Sequence, residues 1–101
     1  MGLLSRNKPN ETAMTKDFTV LNPQGLHARP SALFVKTANL FKSEVWVEKD
    51  GEQINGKSIM GLMMLAAGQG SRLRVTCEGP DAEEALAAIE AIILRRFGDE
   101  P

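Results

Sequence analysis

The sequence has few of the residues that disulfides and metal sites require. Its 101 residues include one cysteine, Cys77, and one histidine, His27. A single cysteine cannot form a disulfide within the chain, and one cysteine and one histidine together are too few ligands for a zinc site. We therefore expect no disulfide framework, no metal and no other cofactor. Cys77 alternates with polar residues in a strand pattern, which predicts an inward-facing structural thiol.

Long hydrophobic runs are absent as well. No apolar segment approaches the roughly 18 residues of a membrane helix, and the first residues lack the hydrophobic region of a secretory signal. We therefore expect no membrane insertion and a cytoplasmic location.

Aromatic residues and an excess of basic charge are scarce too. The chain has four phenylalanines, one tryptophan and no tyrosine, and its 12 basic residues are balanced by 13 acidic ones. Proteins that bind nucleic acids usually combine a basic stripe with aromatic side chains that stack on bases. We therefore expect no nucleic-acid partner. Trp46 lies on the polar side of a predicted strand, and we assign it no role.

The composition that is present is typical of one small globular domain. Hydrophobic residues make up 43% of the chain and charged residues 25%. Residues 1–15 are polar, aperiodic and contain Pro9, so we expect a flexible N-terminal extension at 1–15 and one folded domain at 16–101.

The spacing of apolar residues predicts the element order βαββαβα. Period-two patterns indicate strands at 44–49 and 73–77, and further strands are predicted near 18–21 and, after the typical two-residue hairpin turn Asp50-Gly51, near 53–54. Apolar residues at helical spacing predict three helices, one after His27, one from Ile59 to about residue 66, and one after Asp81. We interpret Asp81 as the N-cap of the last helix, paired with Glu84. Strands that are apolar on one side favour an α+β fold, an open-faced two-layer sandwich with a four-stranded antiparallel sheet and three helices on one face.

The segment 25–30, which reads GLHARP, places His27 immediately before a predicted helix. The first amides of a helix lack intrahelical partners, so the N–H groups of Ala28 and Arg29 can bind an anion on the ring. Arg29 adds a planar guanidinium that matches phosphate oxygens, and Pro30 is well suited to a first helical turn. A neutral imidazole nitrogen can accept a phosphoryl group. The alternative is an ordinary surface histidine or a substitute N-cap.

A second segment, 57–63, reads KSIMGLM and opens a short helix. Ser58 occupies the N-cap, so its hydroxyl can have a purely structural role. Helical spacing turns Leu62 toward the sheet and leaves Ile59, Met60 and Met63 mostly on the other side, where flexible thioethers suit several partners; core packing of these methionines is the alternative.

The two segments, in this order and spacing, resemble the HPr family, the histidine-containing phosphocarriers of the bacterial phosphoenolpyruvate:sugar phosphotransferase system. The resemblance extends from about Lys16 to Gly98. It implies the same open-faced sandwich and a stoichiometric carrier rather than an enzyme. In this scheme His27 accepts a phosphoryl group from Enzyme I, on Nδ1, and passes it to EIIA domains for sugar uptake, while Arg29 stabilises the phosphate. A carrier that presents one face to each partner is expected to be a monomer.

The resemblance also implies regulation at Ser58, which an HPr kinase/phosphorylase phosphorylates in many family members. It places an exposed partner-binding surface beside His27. Lys36 and Lys57 flank the two segments and could form a basic rim for acidic partners, although scattered lysines are usually only solvated. The residues expected in this surface are Ala28, Lys36, Lys57, Ile59, Met60 and Met63.

Two further functions remain open at this level. One is a regulatory interaction protein, either a relative from the nitrogen branch of the phosphotransferase system or a module recognised through phosphorylated Ser58. The second is a phosphohydrolase with His27 as nucleophile, which is disfavoured because no carboxylate, cysteine or second histidine stands in a motif near His27 to complete turnover.

Overall fold

The computed structural model describes residues 12–99 and has the predicted order of strands and helices. A single turn of 3₁₀ helix at Arg96–Gly98 follows the last α-helix. None of the helices within residues 12–99 combines the length and the apolar character needed to cross a membrane. The elements are β1 (Thr12–Thr19), α1 (Ala28–Ala38), β2 (Glu44–Lys49), β3 (Glu52–Asn55), α2 (Ile59–Met64), β4 (Arg72–Gly79) and α3 (Ala82–Leu94).

The strands form one four-stranded sheet in the order β1-β4-β2-β3, and every neighbouring pair is antiparallel. The hairpin between β2 and β3 turns at Asp50 and Gly51, whose φ values of 53° and 85° are both left-handed. This geometry is that of the two-residue turn that the sequence predicts, and it matches the twist of the flanking strands.

The start of β1 corrects the expected boundary of the extension. Residues 12–15, which the sequence assigns to a flexible segment, are paired with β4, with Thr12 opposite Gly79 and Thr15 opposite Thr76. The Thr15 and Thr76 hydroxyls are 2.9 Å apart. Thr12 and Thr15 are exposed although they lie in a paired strand, and polarity alone therefore does not indicate disorder here. The remainder of the expected extension, residues 1–11, lies outside the described part of the chain.

The core lies between one face of the sheet and the helices. In β2 and β4 alternate residues point into it and are buried, while the opposite face of the sheet is mostly exposed, with Trp46 half-buried on it. Cys77 is fully buried, and burial raises the pKa of its thiol to about 11. The sheet side of the core consists of Phe18, Val45, Val47, Leu73, Val75 and Cys77. α3 packs on β1 and β4, and α1 packs on α2 and α3. The open-faced two-layer sandwich is confirmed.

The start of α3 differs from the sequence prediction in its hydrogen bonds. Asp81 is the N-cap residue, but its carboxylate makes no bond to its own helix. It instead accepts hydrogen bonds from the Lys42 amide at 2.9 Å, the Ser43 amide at 2.9 Å and the Ser43 hydroxyl at 2.6 Å. These bonds, that of the Ser43 hydroxyl foremost, lower the pKa of Asp81. The expected capping box with Glu84 is therefore wrong, and Asp81 connects α3 to the segment that leads into β2.

Candidate functional site

His27 is the N-cap residue of α1, in an extended backbone conformation with φ −74° and ψ −172°. Its carbonyl oxygen accepts the first helical hydrogen bond, from the Ser31 amide at 3.0 Å. Its side chain makes no capping bond, and about one third of the side chain is exposed. The imidazole is therefore available for chemistry rather than engaged in holding the helix start.

The loop before His27 is held in place by the segment that follows α2. The Leu26 amide donates to the Ala67 carbonyl at 2.9 Å. Gly25 has a φ of +66°, and a Cβ at this position would lie 2.3 Å from the same Ala67 oxygen. Only glycine fits this close approach in a left-handed conformation. The backbone that carries His27 is thereby fixed relative to the end of the α2 segment.

A carboxylate from the opposite end of the described chain completes the site. The 3₁₀ turn at Arg96–Gly98 brings Asp99 to the start of α1, where its Oδ2 lies 3.1 Å from Nε2 of His27. Its Oδ1 accepts from the Arg29 guanidinium. The Asn22 amide nitrogen donates to Oδ2 at 3.0 Å and to the Gly25 carbonyl at 2.7 Å. His27 and Arg29, predicted as a pair, are therefore joined through one acidic side chain.

Three donors keep Asp99 ionised. The hydrogen bond with His27 contributes most to lowering the pKa of Asp99, and the Asn22 amide and the Arg29 charge add to it against the effect of burial. The Asp99 side chain is about 9% exposed, whereas Arg29 is 66% exposed. The first turn of α1 contains no acidic residue. An anion on His27 would therefore meet the positive end of the α1 dipole and a largely solvated guanidinium.

Sequence reasoning missed Asn22 and Asp99. Asn22 belongs to a cluster whose residue types indicate only the end of a strand, yet it is fully buried. Asp99 lies 72 residues from His27, in an acidic C-terminal region that carries no periodic signal. The positive φ of Arg96, Phe97 and Gly98 redirects the chain after α3, and Phe97, 3% exposed, anchors the turn in the core. A large aromatic residue beyond the last helix is the one sign in the sequence that the chain folds back.

Ser58 caps α2, as the sequence predicts. Its hydroxyl oxygen accepts a hydrogen bond from the Gly61 amide at 3.0 Å, and the residue is half-buried. A Cβ on Gly61 would lie 3.3 Å from this oxygen and 3.3 Å from Cβ of Ile54. Gly61 therefore allows the cap and β3 to pack closely around the first turn of α2.

The apolar residues of α2 divide as the sequence predicts. Leu62 is fully buried, while Ile59, Met60 and Met63 are 41%, 73% and 45% exposed. Met64, 69% exposed, extends the same surface. We call Ile59, Met60, Met63 and Met64 the α2 patch. The alternative in which Met60 and Met63 pack in the core is wrong.

The two lysines of the expected rim differ. Lys36 is exposed in the last turn of α1. Lys57 is half-buried, and its Nζ donates to the Phe41 carbonyl at 2.9 Å, which ties the segment before α2 to the segment after α1. Ala28 is exposed in the first turn of α1. Lys57 therefore has a structural contact of its own in addition to any contact with a partner.

The geometry is that of a histidine accessible to an anionic group at a helix N-terminus, and comparison with known proteins gives the family. Residues 14–94 match the family model described as PTS HPr component phosphorylation site. The chain is 46% identical over 86 residues to phosphocarrier protein HPr of Cupriavidus necator, which covers 85% of this chain and 97% of that protein. It is 56% identical over 69 residues to HPr-like protein Crh of Halalkalibacterium halodurans, which covers 68% and 82%.

A solved structure of the same family has the same fold. HPr-C-His from Thermoanaerobacter tengcongensis superimposes with a TM-score of 0.84 at 46% identity, covering 87% of this chain and 99% of that one. The fold and the site define a small phosphocarrier. The chain belongs to the HPr family of the phosphotransferase system, as the resemblance in the sequence indicates.

Proposed function

We propose that this protein is a phosphocarrier that accepts a phosphoryl group on His27 from Enzyme I and passes it to EIIA domains for sugar uptake. The observation that carries the proposal is the imidazole at the N-terminus of α1, partly exposed, free of capping bonds and beside Arg29. Family membership supports the same assignment. The expected location is the cytoplasm, and the expected state is a monomer that binds one partner at a time.

The transfer step uses the unprotonated ring nitrogen of His27. Its lone pair attacks phosphorus while the bond between phosphorus and the histidine of Enzyme I breaks, and the donor nitrogen keeps that electron pair. The amides of Ala28 and Arg29 and the Arg29 guanidinium bind the phosphoryl oxygens. Little additional chemistry is required, since phosphoryl transfer depends mainly on positioning and charge stabilisation. The onward step to EIIA is the same exchange in reverse.

Incubation with phosphoenolpyruvate and Enzyme I tests this proposal. We expect intact-protein mass spectrometry to detect one acid-labile phosphate per chain, absent from His27→Ala. Addition of a panel of EIIA domains is expected to remove that phosphate. A His27→Ala protein that is still phosphorylated, or a wild-type protein that takes no phosphate from an active Enzyme I, would contradict the carrier function.

A second proposed element is regulation through Ser58. Phosphorylation adds a charge of about −1.5 to −2 at the start of α2, where the helix dipole tolerates it. The added charge lies next to the α2 patch, because Ile59 and Met60 follow Ser58 directly. We expect phosphorylation by an HPr kinase/phosphorylase to act on partner binding rather than on folding.

The Ser58→Asp variant tests this regulation. We expect Enzyme I to phosphorylate His27 of this variant at least about tenfold more slowly. The reason is that a negative charge at Ser58 would repel an acidic surface of Enzyme I, and like charges that meet at an interface slow association strongly. Ser58→Asn is the matched control, since it supplies a cap of similar size without charge. Equal rates for Ser58→Asp and Ser58→Asn would remove the charge at Ser58 from the control of transfer.

A second candidate function is a regulatory module recognised through phosphorylated Ser58, and the 45% identity to Crh, the Bacillus subtilis catabolite repression HPr, supports it. A relative from the nitrogen branch of the phosphotransferase system is a further form of it. This function needs Ser58 phosphorylation but no transfer from His27 to EIIA. A phosphorylated His27 that no EIIA domain discharges would support it.

A further inference from the structure

We propose that Asp99 is a positioning residue for phosphoryl transfer, holding the His27 ring in one tautomer and orientation and keeping Arg29 beside it. The inference rests on the proposed function and extends it to a residue at the opposite end of the domain. Its basis is the 3.1 Å contact between Oδ2 of Asp99 and Nε2 of His27, together with the contact between Oδ1 and Arg29.

The tautomer follows from the hydrogen bond. An ionised carboxylate can only accept, so the proton in the contact belongs to Nε2 of His27. In the neutral ring the lone pair is then on Nδ1, and within residues 12–99 Nδ1 has no hydrogen-bond partner. Histidines that bind metals are oriented in the same way by a carboxylate on the second nitrogen. The reactive nitrogen of His27 is therefore assigned by Asp99 before any partner binds.

Asp99 is itself held by contacts that leave it little freedom. Its Oδ2 also accepts from the Asn22 amide nitrogen at 3.0 Å, and that nitrogen bonds the Gly25 carbonyl. Asn22 is fully buried and Phe97, two residues before Asp99, is 3% exposed. Both the loop before α1 and the turn after α3 thus fix the carboxylate that orients the ring.

The charge of Asp99 also matters during transfer. When the Nδ1–phosphorus bond forms, the ring keeps the proton on Nε2 and takes on positive charge. The Asp99 carboxylate faces that charge from the Nε2 side, as an aspartate faces the imidazolium in hydrolase triads. Because no proton leaves the ring, the step needs no separate base, and Asp99 remains ionised throughout.

The experiment compares Asp99→Ala and Asp99→Asn with the wild type in two measurements. The first is the ¹⁵N NMR signature of the His27 imidazole, which reports the tautomer without any phosphoryl donor. We expect the Nε2–H tautomer alone in the wild type, retention of it in Asp99→Asn, whose amide oxygen still accepts, and a mixture with the Nδ1–H form in Asp99→Ala.

The second measurement is the rate of Enzyme I-dependent phosphorylation of folded protein. We expect Asp99→Ala to be slower by about tenfold, typical of losing a carboxylate behind a functional histidine, and Asp99→Asn to fall between it and the wild type. Asp17→Asn is the matched control with an unchanged rate, since Asp17 pairs with Arg74 on the exposed face of the sheet.

An unchanged tautomer and an unchanged rate in Asp99→Ala would overturn the inference. Failure of the wild type itself to accept phosphate would instead contradict the proposed function. The tautomer measurement would then still decide the role of Asp99, because it requires no donor protein.

Discussion

At the scale of single residues, the site depends on one arginine that has two roles. Arg29 bonds Oδ1 of Asp99 through one terminal nitrogen and is 66% exposed. A guanidinium has five N–H donors in a planar fork, so the Asp99 contact leaves donors for phosphoryl oxygens on His27. The guanidinium is largely solvated and is not part of the core, so the fold does not depend on it.

Arg29→Ala is therefore expected to impair transfer while leaving the fold intact. We expect Enzyme I-dependent phosphorylation to slow by about 100-fold, the usual effect of removing one preorganised donor to developing charge. Arg29→Lys should recover part of the rate, because it restores the charge without the fork. Stopped-flow or quench-flow measurement of phosphohistidine formation checks both variants.

Arg74→Ala is the control for Arg29. It removes an arginine that bonds Asp17 at 2.9 Å on the exposed face of the sheet, so its rate is expected to equal that of the wild type. Equal rates for Arg29→Ala and Arg74→Ala would remove Arg29 from the mechanism.

At the scale of elements, the starts of the helices show what sequence patterns can and cannot predict. Ser58 bonds within its own helix, three residues ahead, and a local pattern of this kind is visible in the sequence. Asp81 also occupies an N-cap position, but its carboxylate bonds the Lys42 and Ser43 amides, which are 39 and 38 residues away, instead of an amide of its own helix. Asp99 meets His27 across 72 residues in the same way. Contacts between residues so far apart in the chain produce no periodic pattern in the sequence, so they cannot be predicted from it.

The cap at α2 makes a prediction for stability. α2 has only six residues, so the loss of one capping bond is a large fraction of its hydrogen bonds. We expect Ser58→Ala to lower the free energy of unfolding by about 1 kcal/mol, and Ser58→Asp to lose less because aspartate also caps helices. Urea unfolding followed by far-UV circular dichroism measures both. A Ser58→Ala protein as stable as the wild type would show that the hydroxyl bond contributes nothing.

At the scale of the whole molecule, the fold separates a covered and an exposed side. The helices cover one face of the sheet and bury a continuous apolar core, and the site forms where the N-terminus of α1 meets the turn after α3. The order of the elements is predictable because each has a local signal, either an apolar periodicity or the hairpin turn before β3, and the sequence predicts the bounds of β2 to the residue. The charged contacts that connect the ends of elements are not predictable in this way.

The hydrogen bonds and ion pairs of Asp81 and Asp99 predict how the stability of the fold depends on pH. The folded-state pKa of Asp81 is lowered, chiefly by the Ser43 hydroxyl, and that of Asp99 is lowered, chiefly by His27. Because their pKa values are lower in the folded state, these carboxylates take up protons at a higher pH in the unfolded chain than in the folded protein. Their ionised forms therefore stabilise the folded state fully at pH values well above the ordinary pKa of 3.8. This stabilisation is lost as the pH falls from about 5 through the folded-state pKa values.

Asp81→Asn provides the test away from the site. We expect its unfolding midpoint in urea to be lower than that of the wild type at pH 7, since the amide cannot accept all three of the hydrogen bonds to Asp81. The difference is expected to shrink as the pH is lowered from 7 to below the ordinary value of 3.8, because Asp81 of the wild type takes up its proton in that range. A difference that stays constant between these pH values would contradict the assignment of the lowered pKa to these bonds.

The most direct test of the account is to locate the phosphoryl group. NMR of ¹⁵N-labelled protein phosphorylated by Enzyme I and phosphoenolpyruvate identifies the modified ring nitrogen by its coupling to phosphorus. We predict a single phosphoryl group on Nδ1 of His27, with the proton retained on Nε2 toward Asp99. Phosphate on Nε2, on another residue, or on no residue would contradict it.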